Sequence, residues 1–155
     1  MRVRRFGPIA VALVIGSVFA GQALAGKPRT RHQTVVSIGA VLSRQGSTAV
    51  SAYKITSSLY GHGAAVQVAK ITGTTFPLTG TDTVTAYYTD GAAVTKDKFT
   101  LGALNANGIG IVSGTGKCAG GTGIHKHETC SYKLSGTYNS KTMVSRVTAK
   151  GTDTL

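Results

Sequence analysis

The chain alternates short apolar and threonine-rich segments with breaks of glycine, proline and small polar residues. The alternation is clearest in segments 48–60 and 81–89. In the first, Ala49, Ser51, Tyr53 and Ile55 share one face and Val50, Ala52 and Lys54 the other; in the second, Val84, Ala86 and Tyr88 lie opposite Thr83, Thr85 and Tyr87. A period of two residues is typical of β-strands, because successive side chains point to opposite faces.

Strand-like segments recur along the whole chain after residue 32, and no stretch carries a helical period. Gly61–Gly63 is expected to break the second segment from the third, and Asp90-Gly91 is a hairpin signal. The segments are 33–42, 48–60, 64–72, 81–89, 98–104, 109–118, 124–138 and 142–151. Many short strands separated by turn signals predict an all-β fold, an antiparallel sandwich or barrel.

The N-terminus predicts export. A basic start, MRVRR, is followed by an apolar run at 9–20 and by the small residues Ala23 and Ala25. This order is typical of a secretory signal peptide over residues 1–25, cleaved near Ala25, and the apolar run is too short to span a bilayer. An uncleaved N-terminal anchor is the alternative. We expect a secreted protein, periplasmic or extracellular, with a flexible basic arm at 26–32 and one domain at 33–155.

The composition is basic and poor in aromatic residues. The formal net charge is +12, and no tryptophan is present. A basic exported protein can meet anionic lipid, polysaccharide or acidic partners, although a soluble cationic surface needs no partner. Basic and aromatic residues are not interleaved, so nucleic acid is not an expected partner. No second apolar run follows the first, so no membrane span is expected in the mature chain.

The segment 114–123, GTGKCAGGTG, looks like a phosphate-binding loop. It fails as a Walker A loop because Cys118 stands where Ser or Thr should follow Gly-Lys, and Ile111 stands where the first glycine should be. It fits the loose dinucleotide fingerprint, but a β-rich run follows it where that motif needs a helix. We therefore predict no cofactor and a structural glycine turn made by Gly120, Gly121 and Gly123.

The same region carries a family resemblance. The segment 114–138, GTGKCAGGTGIHKHETCSYKLSGTY, resembles the late-strand region of the allene oxide cyclase and dirigent-like barrel superfamily, in which Gly-Gly-Thr-Gly precedes an apolar or aromatic strand. The similarity covers roughly residues 81–151. It implies an antiparallel closed β-barrel of about eight strands with an apolar interior cavity, and often a homodimer or homotrimer. His125 stands where the family usually has an aromatic residue, and the family's acidic catalytic residues have no counterpart that we can place.

The cysteines, Cys118 and Cys130, are an even pair in a chain expected to reach an oxidising compartment. If the chain turns near Ile124, they lie opposite each other across a hairpin, which predicts a disulfide. Free buried thiols and an intermolecular bridge are the alternatives.

Two histidines, His125 and His127, form an H-x-H pattern. In a strand both imidazoles would face the same side and could supply two ligands to zinc or copper, with His62 as a candidate third. The alternative is that both are ordinary surface residues.

Four tyrosines are candidates for lining a cavity or its rim: Tyr53, Tyr87, Tyr88 and Tyr132. No nucleophile motif is present, and no pair among the five acids suggests a general acid and base. The sequence thus predicts a secreted barrel that binds a small apolar or phenolic molecule, with cyclase or isomerase chemistry if it is an enzyme. The alternative is a non-catalytic secreted or envelope-associated interaction module with a cationic surface.

Overall fold

A computed structural model describes residues 29–155. Eight strands and one short 3₁₀ helix follow one another along the chain. They are β1 (Thr30–Gln45), β2 (Thr48–Ser57), β3 (Gly61–Thr72), β4 (Leu78–Tyr88), β5 (Gly91–Leu101), β6 (Ile109–Gly121), the 3₁₀ helix η1 (Gly123–His127), β7 (Thr129–Asn139) and β8 (Val144–Thr154).

Each strand pairs antiparallel with its neighbours in the sequence, and β8 pairs with β1 to close the barrel. The first and last strands are in register from Thr30 with Thr154 to Ala40 with Val144. Closure satisfies the backbone groups that would otherwise be exposed at two sheet edges. The prediction of an all-β, closed antiparallel barrel of about eight strands is confirmed. Within residues 29–155, no helix has the length and apolar character needed to cross a membrane.

The two rims of the barrel differ. The up-and-down order places the start of β1, the end of β8, the turns 58–60 and 89–90, and η1 at one rim, which we call the η1 rim. Loops 46–47, 73–77, 102–108 and 140–143 lie at the other, which we call the open rim. The predicted signal peptide and residues 26–28 of the predicted basic arm lie outside the described residues.

Three local predictions need correction. Thr30–His32, expected in a flexible arm, begin β1. Gly61–Gly63 are the first residues of β3 and not a break, because the turn comes earlier: the Ser57 hydroxyl accepts hydrogen bonds from the backbone N–H groups of Leu59 and Tyr60. The start of the expected strand 124–138 is η1 instead, and β7 begins only at Thr129.

Small side chains take the most deeply buried apolar positions, between larger ones such as Phe99 and Leu134 that also face inward. The buried apolar residues are Ala49, Ile55, Ala65, Ala69 and Ala93, so four of the five are alanine. Alanine has too little volume to fill the centre of a barrel of this size. An interior cavity follows.

Candidate functional site: an apolar cavity with a buried acid pair

The cavity inside the barrel has a volume of about 360 Å³. Its wall is mainly apolar and draws on all eight strands. Phe76 and Met143, in loops of the open rim, line the cavity and are 42% and 38% exposed, so the cavity meets solvent at this rim. At the η1 rim, Tyr60, Tyr88 and Glu128 line its far end.

Two aspartates meet in the wall at mid-height. Asp82 on β4 and Asp97 on β5 are direct cross-strand partners, and both are 6% exposed. Burial, followed by the charge of Asp97, raises the pKa of Asp82 to about 7. Burial also raises the pKa of Asp97, and the hydroxyl of Tyr132 partly opposes this. Two buried carboxyl groups this close cannot both be ionised cheaply, so the pair holds one proton up to about neutral pH.

Neighbouring strands supply hydrogen bonds to this acid pair. Gln67 Nε2 donates to Asp82 Oδ2 at 2.7 Å, and Tyr53 in turn donates to Gln67 Oε1 at 2.9 Å. Tyr132 donates to Asp97 Oδ1 at 2.6 Å. The pKa of both tyrosines is raised, chiefly by burial, so both stay neutral donors.

Gly116 makes the Tyr132–Asp97 bond possible. It lies on β6, which separates β5 from β7, and it is paired with Asp97 on β5 and with Tyr132 on β7. A Cβ atom at this position would lie 2.2 Å from Asp97 Oδ1 and 2.3 Å from the Tyr132 ring. The tyrosine therefore reaches across β6 only because position 116 has no side chain.

A second polar cluster closes the η1 rim. The fully buried His125 donates from Nδ1 to Glu128 Oε2 at 2.6 Å. Tyr60 donates to Asp153 Oδ2 and packs edge-on against the His125 ring, with 4.6 Å between centroids. Asp153 is fully buried, and its Oδ2 atom lies 3.7 Å from Nη2 of Arg31. This cluster ties the start of β1 and the end of β8 to η1 and seals that end of the cavity.

Charges in the η1-rim cluster are mixed. Burial raises the pKa of Glu128, with a further increase from Asp153, while the hydrogen bond from His125 lowers it. Burial raises the pKa of Tyr88 to about 12. Among residues 29–155, His125 Nε2 has no hydrogen-bond partner, and it lies 3.6 Å from Asp90 Oδ1, too far for a hydrogen bond.

The disulfide between Cys118 and Cys130 is present, with 4.9 Å between the Cα atoms. It joins the end of β6 to the start of β7 beneath η1 and lines the cavity. Both sulfur atoms lie within 4.8 Å of a Glu128 oxygen. In the disulfide form the sulfurs are not thiolates, so this cluster does not offer a set of metal ligands.

The predicted H-x-H metal pair is not on a strand face. Because residues 123–127 form a 3₁₀ helix, His125 points into the barrel end while His127 is exposed. His62, the candidate third ligand, is exposed on β3 and hydrogen-bonds Thr56 through Nδ1 at 3.1 Å. The prediction that both imidazoles face one side is wrong. His125 has its Glu128 contact instead.

The predicted tyrosines divide by strand alternation. Tyr53, Tyr88 and Tyr132 line the cavity, whereas Tyr87 points outward and is 52% exposed. The prediction that Tyr87 lines the cavity is therefore wrong, because adjacent residues of a strand point to opposite faces and Tyr88 points inward. Tyr60, which the sequence did not single out, lines the cavity from the 58–60 turn. Whether these side chains bind a ligand stays a prediction.

The predicted glycine turn lies where β6 leads into η1. Gly120 and Gly123 have positive φ values of 111° and 59°. A Cβ on Gly121 would lie 2.2 Å from the Ala92 carbonyl oxygen. The glycines are therefore needed for the backbone conformation of the turn. The five-residue η1 is too short, and begins too late in the segment 114–123, to be the helix of a dinucleotide-binding motif.

The acid pair was missed although the sequence held a signal for one of its members. Asp82 shares its strand parity with Val84 and Tyr88, which places it inside. Its pairing with Asp97 depends on a turn at Thr89 and Asp90, one residue before the predicted Asp90-Gly91, so the sequence signalled a buried Asp82 but not its partner. The contact between Glu128 and Asp153 had no such signal, because it depends on the β7–β8 register, in which Cys130 faces Asp153.

Comparisons of this chain with protein-family models, with curated proteins and with solved structures find no match. The allene oxide cyclase and dirigent-like resemblance therefore stays a prediction from the sequence.

Proposed function

We propose that this protein binds a small, mainly apolar molecule inside the barrel, with a hydroxyl or phenol group of the ligand at Asp97 and Tyr132. The observation that carries the proposal is the mainly apolar cavity of about 360 Å³ that is lined by Asp97, one member of a buried carboxyl pair. Pockets that hold small ligands are typically this size, mainly apolar, with a few convergent polar groups.

The chemistry of the wall selects the ligand class. Small side chains at Ala49, Ala69 and Ala149 leave room for flat or branched apolar groups. Asp97 offers carboxyl oxygens that can accept a hydrogen bond from a ligand hydroxyl, and burial strengthens such a bond. A ligand without a hydrogen-bond donor would add no hydrogen bond to the acid pair, so the carboxyl oxygens would have the same partners as in the empty barrel.

The open rim provides the entrance. Phe76, Leu104 and Met143 line the cavity from its loops, so an apolar ligand meets apolar side chains before it reaches the acid pair. The opposite end is closed by the His125–Glu128 and Tyr60–Asp153 contacts.

The disulfide supports the proposal that the protein works outside the cytoplasm, because such bonds persist in oxidising compartments. Secretion itself, the homodimer or homotrimer, and the cyclase or isomerase chemistry that the resemblance implies stay predictions.

The test is displacement of the neutral dye N-phenyl-1-naphthylamine, whose emission is free of tryptophan background because the chain has no tryptophan. We expect 4-hexylphenol to displace the dye at roughly fivefold lower concentration than hexylbenzene, since one buried hydrogen bond contributes about 1 kcal/mol. Asp97→Asn should reduce that difference.

A matched pair of variants locates the binding site. Ala149→Phe places a ring in the cavity and should abolish dye binding, whereas Ala64→Phe adds the same volume on the exposed outer face of β3 and should leave it unchanged. Equal dye binding by the two variants, with both folded by circular dichroism, would contradict the proposal.

A further inference from the structure

The outer wall of strands β5 to β8 carries a cluster of lysines. We call it the lysine face: Lys96 and Lys98 on β5, Lys117 on β6, Lys133 on β7 and Lys150 on β8, all exposed. They point outward because they alternate with cavity or interior residues, as Lys96 and Lys98 flank the buried Asp97.

The barrel register brings these lysines together. Lys96 is directly opposite Lys117, and Lys133 is directly opposite Lys150. Thr115 lies between Lys98 and Lys133 on the strand that separates them. Neighbouring strands are about 5 Å apart, so ammonium groups repeat at roughly 5–10 Å across the face. Like charges directly opposite each other destabilise a sheet, so the fold carries this arrangement at a cost.

No acid neutralises the lysine face. Asp82, Asp97, Glu128 and Asp153 are buried inside the barrel, and Asp90 lies in a turn at the η1 rim. The ion pairs found in residues 29–155 involve Arg31 and His125 and none of these five lysines. The folded chain therefore places its negative charge within the barrel and leaves a one-sign surface outside.

The other exposed side chains of the lysine face indicate which class of anionic partner fits it. They are hydroxyl residues, Ser113, Thr115 and Ser131, exposed on the same face. The large exposed apolar side chains of the strands lie mainly elsewhere, such as Val36 on β1 and Val66 on β3. Single-stranded nucleic acids use aromatic platforms for base stacking, and peripheral membrane proteins commonly insert apolar groups. The described outer face of β5 to β8 has no aromatic side chain, and its exposed Ile111 lies beyond Ser113, at the edge of the lysine face.

We propose that the lysine face binds an anionic polysaccharide. Lysine ammonium groups pair with sulfate or carboxylate groups along the polymer, and the serine and threonine hydroxyls between them hydrogen-bond to its sugar hydroxyls. This contact is on the outside of the barrel wall and does not depend on a ligand in the cavity.

The test is fluorescence anisotropy with fluorescein-labelled heparin as the sulfated probe and labelled polygalacturonate as the carboxylated one. Lys98→Gln, Lys133→Gln and Lys150→Gln are combined in one variant. The matched control combines Lys54→Gln, Lys126→Gln and Lys141→Gln, which remove the same charge from exposed positions outside the lysine face. We expect the first variant to lose at least about tenfold in affinity for one or both probes and the control less than about threefold.

Three results would overturn the proposal. Equal losses in the two variants would show attraction by net charge alone. Tighter binding to duplex DNA than to either polysaccharide at about 0.15 M salt would assign the face to nucleic acid. Tighter binding to vesicles rich in phosphatidylglycerol would assign it to a membrane surface. The lysine-face variant should keep its dye binding in the cavity, which separates this test from that of the proposed function.

Discussion

At the scale of single residues, the acid pair is the most costly feature of the barrel. Asp82 and Asp97 face each other across β4 and β5, both buried, and Asp97 lines the mainly apolar cavity. Gln67, Tyr132 and the proton that the pair shares make this tolerable. A barrel whose only task was to fold would be served as well by two apolar side chains, which is why the pair points to binding.

The acid pair should make stability depend on pH. The pKa of Asp82 is about 7 in the folded chain and 3.8 as its ordinary value, so between those values the folded state holds a proton that the unfolded state has lost. The free energy of unfolding should therefore fall as the pH rises from about 4 to about 7, by about 1.4 kcal/mol per unit of pKa difference. The raised pKa values of Asp97 and Glu128 act in the same direction.

Urea unfolding at a series of pH values checks this dependence. In Asp82→Asn the amide cannot ionise, so the fall between pH 4 and 7 should be smaller than in the parent protein. Asp90→Asn, at a turn acid whose side chain is 40% exposed, is the control and should leave the slope unchanged. Parallel curves for Asp82→Asn and the parent would show that the pair does not share a proton.

At the scale of elements, the β6–β7 connection is the unusual one. Other neighbouring strands are joined by turns or loops, whereas here a 3₁₀ helix folds over the barrel end and buries His125. Gly123 starts that helix with a φ of 59°, and the disulfide ties the strands beneath it. A strand was expected from residue 124 onward, but the positive φ of Gly123 turns the chain into η1 instead.

Replacing Gly123 tests how tightly η1 is fitted. Gly123→Ala should destabilise the fold by more than the roughly 1–2 kcal/mol of a left-handed residue, because the new Cβ would lie 2.1 Å from the Asp90 carbonyl oxygen. Gly46→Ala has nearly the same φ, 58°, but nothing within 4 Å, so it isolates the backbone cost. Similar urea midpoints for the two variants would mean that η1 shifts at little cost in free energy to accommodate the new Cβ.

The disulfide should contribute moderately to stability. It closes a short loop, with a sequence separation of 12, and a loop of that length corresponds to about 3 kcal/mol. We expect the double variant Cys118→Ala, Cys130→Ala to unfold at lower urea by about that amount while keeping the circular dichroism of a β-barrel. The reduced parent protein should match the variant, and a midpoint unchanged by reduction would contradict the prediction.

At the scale of the whole molecule, charge is separated by the barrel wall. Four of the five acids are buried, and the lysines and arginines of the strands face outward or lie at the rims. The outer surface therefore repels itself, and closure of the barrel must overcome that repulsion. The cavity and the cationic wall are two sides of one sheet.

Added salt should stabilise the barrel. Raising sodium chloride from about 10 mM to about 0.5 M screens the surface repulsion and should raise the melting temperature by several degrees. The lysine-face variant should start with a higher melting temperature and gain less from salt, because part of the repulsion is already removed. A melting temperature that falls with salt in both proteins would contradict this account.

The sequence by itself determined the local elements and their faces. Period-two alternation grouped Tyr53 with Ile55 and Tyr88 with Val84, the hairpin was placed within one residue of its turn, and the cysteine pair was found, because each depends on contacts close in the chain or on composition. The same alternation separates Tyr87 from Tyr88 and puts Asp82 on the face of Val84, but the position of the turn that sets Asp82 opposite Asp97 came only from the structure.

Only the tertiary structure decided what the closed barrel brings together. Closure of β8 on β1 puts Asp153 beside Arg31 and Tyr60, residues far apart in the chain. The fold of η1 separates His125 from His127, and the inward side chains of all eight strands together leave a cavity. These features depend on long-range register and on the volume enclosed by all eight strands, which no segment of the sequence specifies alone.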